Sequence, residues 1–338
     1  MNDNTFVCVS KFVDWSNKMI FVTGGTGDVG KELVSELAGA TGSAVAFDIA
    51  ANPERVKENR NLVKFVRGNI LNLSDVLSSI RENSSETVVH LASMLTSDCE
   101  TRPYEAANVN MQGTATVLEA CRLSGTVKRF VFTSTSSVYG NTGGKGNIDE
   151  NFPKEPMNVY GSLKYGSELY SQNYTRKYGL EYTACRLRVI FGPGQRNDTG
   201  AMKIIGVMNL LDDLFAGRES IFAGISDQKL EVTHPKDAAH ALALAARAKK
   251  LQSNAYNVMT GSYTFGEIAK AFEKALPGSR IKFDPSKGTR PTSGGPGTNF
   301  GTYDISRADK ELGYRPQYNI EKIVQEVVEY EKASRRMK

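Results

Sequence analysis

The stretch MIFVTGGTGDVG, residues 19–30, opens with four apolar residues, Met19 to Val22, and runs into a glycine cluster. Behind it Val29, Leu33, Val34 and Leu37 recur at helical spacing. This pattern predicts a buried parallel strand, a tight turn and a helix, and so an α/β chain. Gly24, Gly27 and Gly30 stand three apart. The first permits the sharp turn. The second lets a pyrophosphate come close to the backbone, and the third lets the helix pack closely on the strand. The free N–H groups and positive dipole end of the helix, with Asp28 and Val29 in its approach, then face the phosphates. A glycine triplet alone is a weak signal; the order strand, glycines, helix is what makes it informative.

Outward from this stretch, residues 44–48, AVAFD, form a short apolar strand ending in a carboxylate. Asp48 lies 24 residues beyond Gly24, close to the roughly 20 expected of an acid that binds an adenosine ribose. A solvated strand-end aspartate is the plainer alternative, and the preceding glycines weigh against it. Asp48 repels a 2′-phosphate and Ile49–Asn52 bring no arginine, which predicts NAD rather than NADP. Arg55 is the nearest basic residue that opposes this choice.

The 338 residues carry a net charge of +5, mixed along the chain. That length suits one large α/β domain or two intimate ones. The dense basic run, Arg335, Arg336 and Lys338, reads as a tail, so no nucleic-acid partner is expected. No apolar run reaches a membrane span, and residues 1–18 lack the pattern of a signal peptide. Cys8, Cys99, Cys121 and Cys185 are scattered without metal-ligand spacing, and His90, His234 and His240 form no paired motif. A reduced, cytoplasmic protein without a catalytic metal is the expectation.

Further strands are predicted at Leu62–Val66, Thr87–Leu91, Phe130–Phe132 and Tyr182–Phe191, the last as one continuous element. His90 reads as a packed strand residue. Pro103 opens a helix running to about Ser124. Strand Phe130–Phe132 leads into the hydroxyl cluster Thr133–Ser137, beside the expected cofactor. After a glycine-rich loop, Gly140–Gly146, a helix carries Tyr160 and Lys164 at i and i+4, on one face. Tyr318 and Lys322 repeat that spacing near the C-terminus. There a solvated helix surface is the simpler reading. The stretch SKGTRPTSGGPGTNFG, 286–301, reads as a long flexible loop over a ligand.

In order and spacing these motifs resemble the extended short-chain dehydrogenase/reductase superfamily, in its NAD-dependent epimerase/dehydratase branch, nucleotide-sugar 4-epimerases included. The resemblance rests on TGGTGDVG, Asp48, HLAS at 90–93, NMQGT at 110–114, STSSVYG at 134–140, YGSLK at 160–164, FGPG at 191–194 and DISRADKELGYRP at 304–316. It implies a Rossmann-type doubly wound seven-stranded parallel sheet with a smaller C-terminal substrate-binding lobe. The N-terminal extension then covers 1–18, the NAD-binding domain 19–190, and a substrate lobe 191–338, some of whose segments return to the first domain.

The resemblance makes Tyr160 the acid/base, Lys164 its partner and Thr135 the hydroxyl that holds the reacting oxygen. Asn69, Ile70, Leu91, Ala92 and Ser93 join the cofactor site, as do Tyr160 and Lys164, the latter also placed to hold the nicotinamide ribose. A free tyrosine, with a pKa near 10, is a poor base at neutral pH. A nearby lysine ammonium and an oxidised nicotinamide both favour its phenolate.

The chain also departs from the family. Asn69 stands where Asp is usual. Ser136 and Ser137 replace an Asp-Glu pair of dehydratases, which argues against 4,6-dehydration. Val189 and Leu230 replace an Asn and an Arg that hold nucleotide sugars, with Lys229 adjacent. Arg290 is the remaining candidate for a diphosphate. Three readings stand: a sugar epimerase working through a keto intermediate, a dehydrogenase or reductase with net NAD turnover, and a non-catalytic NAD sensor. The epimerase is preferred, as a homodimer paired through helices near 103–124 and 157–178.

Overall fold

A computed structural model describes residues 19–142, 146–195, 207–287 and 301–336. The N-terminal extension, Arg290 and most of the 286–301 loop lie outside them. Seven parallel strands form the main sheet. In chain order they are β1 (Ile20–Thr23), β2 (Ala44–Asp48), β3 (Val63–Arg67), β4 (Thr87–His90), β5 (Arg129–Thr135), β6 (Glu181–Leu187) and, after three strands outside this sheet, β10 (Ala255–Val258). Those three are β7 (Val189–Ile190), β8 (Ser220–Ala223) and β9 (Lys229–Thr233). The spatial order is β10-β6-β5-β4-β1-β2-β3. The chain therefore winds outward from β1 in one direction, then from β4 in the other. The resulting crevice lies at the C-terminal ends of β1 and β4, where such sheets bind ligands. This is the doubly wound α/β architecture the sequence implies.

The strands are apolar on both faces because helices cover both. One core packs Ile20, Val22, Leu33, Leu37 and Ala46 against Ala238–Ala246. The other packs Phe21, Phe47, Val88, Val117, Leu118 and Phe130 on the opposite face. The alanine-rich helix Pro235–Arg247 thus lies on the main sheet although it follows the first excursion into the C-terminal lobe. Small side chains let it sit close to the helix Gly30–Thr41. A third core, built on Phe191, Leu211, Phe222, Phe265, Phe272, Ile323 and Val327, belongs to the C-terminal lobe. There β7 and β9 join β11 (Gly261–Thr264), and β8 pairs with β12 (Ile281–Asp284). No described helix is long and apolar enough to cross a membrane.

Two elements differ from expectation. The predicted 182–191 strand is two strands in two sheets. β6 pairs with β5 up to Leu187, whereas Val189 pairs with Val232 of β9. Arg188 marks the transfer, and its buried ion pair with Glu231 joins the two sheets (Nε–Oε2 3.2 Å). Apolar periodicity does not report that a run changes partners. The predicted 103–124 helix is interrupted by a π-turn at Asn108–Gln112. Asn110 lies within it. Its Oδ1 accepts from the Met94 N–H (2.8 Å) and its Nδ2 donates to the Met94 carbonyl (3.1 Å). A widened turn of this kind is frequent beside functional sites.

Arg129 opens β5 and is buried. Its Nη1 donates to the carbonyls of Ala246 (2.9 Å) and Ala248 (2.6 Å), and its Nη2 pairs with Glu181. It satisfies carbonyls at the C-terminal end of the 235–247 helix that have no intrahelical partner. Arg129→Met leaves them buried and unpaired. We expect a loss of about 2–4 kcal/mol in unfolding free energy, measured by urea titration.

Candidate active site

The glycine loop is built as the sequence implies. Gly24 has φ of +68°, and a Cβ there would come within 2.8 Å of the Ala92 nitrogen. The turn thus requires glycine twice over, by backbone conformation and by contact with the end of β4. A Cβ on Gly30 would lie 2.0 Å from the Gly24 carbonyl oxygen, so this end of the helix rests directly on the turn. A Cβ on Gly27 would meet only that same oxygen, at 3.2 Å, which leaves this side of the loop open. Val29 precedes the helix and makes no side-chain cap hydrogen bond, so it leaves the first N–H groups uncapped. An open cradle of N–H groups at a helix start suits a pyrophosphate.

Asp48 turns towards this loop. Its Oδ2 accepts from the Thr26 N–H and its Oδ1 from the Ala50 N–H, both at 3.1 Å. Across the crevice, the Thr23 hydroxyl accepts from the N–H groups of Leu91 (3.2 Å) and Ala92 (3.3 Å). It is also paired with His90 Nδ1 at 2.6 Å. Ser93 is half-buried at the same strand end and donates to the Leu91 carbonyl (3.3 Å). His90 is buried, and that burial, with the Lys164 charge adding to it, pulls its pKa down to about 3. It is a neutral packing residue, as expected. Ile70 is buried in the core, where it blocks any side chain at position 113. Asn69 Oδ1 accepts from the Leu71 N–H (2.9 Å), so this amide oxygen is engaged locally. The residues at the crevice fit a dinucleotide.

The second cluster stands at the C-terminal end of β5. The helix Val159–Tyr178 starts against it. Asn158 caps this helix by accepting from the Gly161 N–H (2.7 Å). A Cβ on Gly161 would lie 2.7 Å from the Ser137 carbonyl, so glycine here lets the first turn approach the strand end. Tyr160 is thereby brought beside Thr135, whose hydroxyl acts to lower the pKa of the phenol. The Thr135 hydroxyl also accepts from the Ser137 N–H and donates to the Ser137 hydroxyl, both at 3.2 Å. Lys164 is buried one turn on. Its Nζ donates to the Thr133 carbonyl (2.9 Å) and lies 5.9 Å from the Tyr160 ring centre.

Burial disfavours charge on both side chains. It pushes the Tyr160 phenol up from its ordinary value, against the influence of the Thr135 hydroxyl, and pulls the Lys164 ammonium down to about 8. Desolvation is therefore the largest influence on the phenol in this structure. Lys164 Nζ is directed to the Thr133 carbonyl and not to the phenol.

A buried group beneath this cluster is absent from the sequence reading. Glu168 accepts from Arg186 through both oxygens (Nε–Oε1 3.0 Å, Nη2–Oε2 2.7 Å) and from the Ser134 hydroxyl. Arg186 Nη1 donates to the Tyr139 hydroxyl (2.8 Å), which donates to Asn257 Oδ1 (2.6 Å). Glu168 continues the i, i+4 series of Tyr160 and Lys164. That spacing was the available signal. The Tyr318–Lys322 pair is unlike the first pair. Tyr318 precedes the C-terminal helix, which begins at Ile320, and stacks on buried His234 with ring centres 3.7 Å apart. It is therefore not the solvated helix surface expected.

The model of the NAD dependent epimerase/dehydratase family matches residues 20–258. A Methanocaldococcus jannaschii protein provisionally named as a UDP-glucose 4-epimerase is 26% identical over 324 residues, 94% of this chain and all of its own. The solved UDP-glucose 4-epimerase of Thermotoga maritima, with UDP-glucose, superposes with a TM-score of 0.80 at 24% identity, covering 94% of this chain and 99% of that one. The L-threonine dehydrogenase of Phytophthora infestans gives a TM-score of 0.80 at 23% identity, covering 94% and 100%. These two show the fold. With the family match, the chain belongs to the NAD-dependent epimerase/dehydratase family and is an enzyme whose cofactor is NAD.

Proposed function

We infer that this enzyme is a nucleotide-sugar epimerase that works by transient oxidation of the sugar. The carrying observation is the meeting of Thr135 and Tyr160 at the end of β5, with Lys164 one helical turn on, beside the glycine-loop crevice. Gly24, Gly27, Asp28, Val29 and Gly30 hold the pyrophosphate, through the backbone of the loop and the helix start. Asp48 takes the ribose hydroxyls, and Asn69, Ile70 and Leu91–Ser93 border the remainder. Bound NAD supplies the site where a hydride is stored and from which it returns. Thr135 holds the reacting hydroxyl in line with Tyr160. Tyr160 removes its proton as the carbinol becomes a ketone, and gives the proton back when the opposite face is reduced. The Lys164 charge favours the phenolate. The missing acidic pair at Ser136 and Ser137 leaves no group to expel water from the sugar, so the keto intermediate is reduced, not dehydrated.

A dehydrogenase with net NAD turnover is the second reading. It is favoured by Val189 and Leu230, apolar where the family holds a nucleotide. The likeness of fold to the threonine dehydrogenase agrees with it. The purified protein separates the two. The epimerase retains NAD and interconverts UDP-glucose and UDP-galactose with none added. Failure to do so, with nicotinamide absorbance growing on added NAD and an alcohol, establishes the dehydrogenase.

We place the enzyme in the cytoplasm as a homodimer. Cys99, Cys121 and Cys185 are free and buried, in keeping with a reducing compartment. Leu169, Tyr170 and Tyr178 are 43–44% exposed along the 159–178 helix. An apolar, aromatic helix face of this kind suits burial against a second copy. Light scattering at micromolar concentration is expected to give twice the chain mass; a monomer removes the proposal.

A further inference from the structure

Arg55, the residue that opposed NAD in the sequence, is held in a specific way. It ends a short 3₁₀ turn, Pro53–Arg55, just after Asp48. Its Nη1 donates to the Thr26 carbonyl (2.9 Å) and its Nη2 to Asp28 Oδ1 (2.5 Å). Asp48 accepts from the N–H of the same Thr26. One residue of the glycine loop is thus gripped by a carboxylate at its N–H and a guanidinium at its carbonyl. This fixes Arg55 on the same residue of the glycine loop as the acid expected to meet the adenosine ribose. The 2′-phosphate that distinguishes NADP would arrive at this point. A guanidinium fork is the side chain best shaped to receive it. Asp28 takes that charge first.

We propose that the Asp28–Arg55 pair is a second determinant of cofactor choice, acting beside Asp48. Asp48 excludes the 2′-phosphate by repulsion. Asp28 withholds the cation that would offset this repulsion, by neutralising Arg55 and turning its fork onto the loop. Both side chains are partly exposed, at 29% for Arg55 and 20% for Asp28. Such a pair adds little to folding stability, and its competition with an incoming dianion is the larger effect. The inference rests on NAD dependence alone and stands whichever substrate the enzyme takes.

The test is a set of dissociation constants for NAD and NADP, measured by calorimetry on protein freed of cofactor, so that it does not depend on turnover. Asp28→Asn keeps the shape and removes the charge. It is expected to raise the affinity for NADP relative to NAD about tenfold, on the scale of one charged hydrogen bond. Asp28→Asn with Asp48→Ser should gain further and bring NADP level with NAD. Adding Arg55→Ala to Asp28→Asn should erase the gain. Arg55→Ala alone should leave NADP binding as weak as before, which keeps the proposal testable if the Asp28 variant fails to fold. Three results overturn it. The NADP-to-NAD ratio is unchanged in Asp28→Asn, or both cofactors weaken together, as for a purely structural strap. In the third, Arg55→Ala alone weakens NADP, meaning that Arg55 already serves the phosphate.

Discussion

Tyr160→Phe is expected to lower turnover at least about 10²-fold, the usual loss when a general acid/base is removed. NAD affinity and thermal unfolding should hardly move. The ring contacts survive, and only the hydroxyl that meets Thr135 is lost. The comparison is kcat on the substrate that the wild type turns over, with Tyr104→Phe as control. Tyr104 is 80% exposed and far from the chemistry in sequence. Near-normal turnover in Tyr160→Phe would exclude Tyr160 as the base. The pH profile adds a check with a defined sign. Oxidation needs the phenolate, so the rate should rise with pH through an apparent ionisation. Burial raises that ionisation, and positive charges brought close to a phenol lower it. Lys164→Met removes one of these charges, so the rising limb should move to higher pH. A limb that stays in place would show that Lys164 does not tune Tyr160.

The largest effect on cofactor binding is expected at Gly30. An alanine there brings its Cβ to 2.0 Å from the Gly24 carbonyl oxygen and 2.9 Å from the Gly24 carbonyl carbon. Both are backbone atoms of a turn that already rests on Ala92, so the loop cannot step aside without opening the crevice. Overpacking of this kind costs on the order of 3 kcal/mol. Where the helix tilts away instead, the cradle of N–H groups is lost. Either way NAD affinity should fall by about tenfold or more, each tenfold being about 1.4 kcal/mol. Gly42→Ala, beyond the other end of the same helix, is the comparison. There a Cβ meets nothing within 4 Å, although φ is +81°. Some stability should be lost and NAD affinity kept. Equal NAD affinity in Gly30→Ala and wild type would refute the account of the loop.

What the amino-acid order determined by itself was local. Strand, glycines and helix at 19–37, the carboxylate closing AVAFD, and the helical spacing of Tyr160 and Lys164 all depend on residues within a few turns of one another. Backbone sterics and apolar periodicity act over that range, and β2 runs from Ala44 to Asp48 as read. The family motifs extended that reach to the doubly wound sheet and to NAD. The tertiary structure alone decided which charges meet. Arg55 and Asp28 are 27 residues apart, Arg186 and Glu168 18, and Arg129 and the Ala246 carbonyl 117. Their pairing follows from how helices dock, which no local pattern encodes. For the same reason one apolar run, 182–191, divides between two sheets at Arg188, and Tyr318 stacks on His234 rather than facing solvent. Burial is likewise a property of the packed whole. It holds the Tyr160 phenol up and the Lys164 ammonium down, because charge is disfavoured wherever neighbouring elements have displaced the water that would stabilise it.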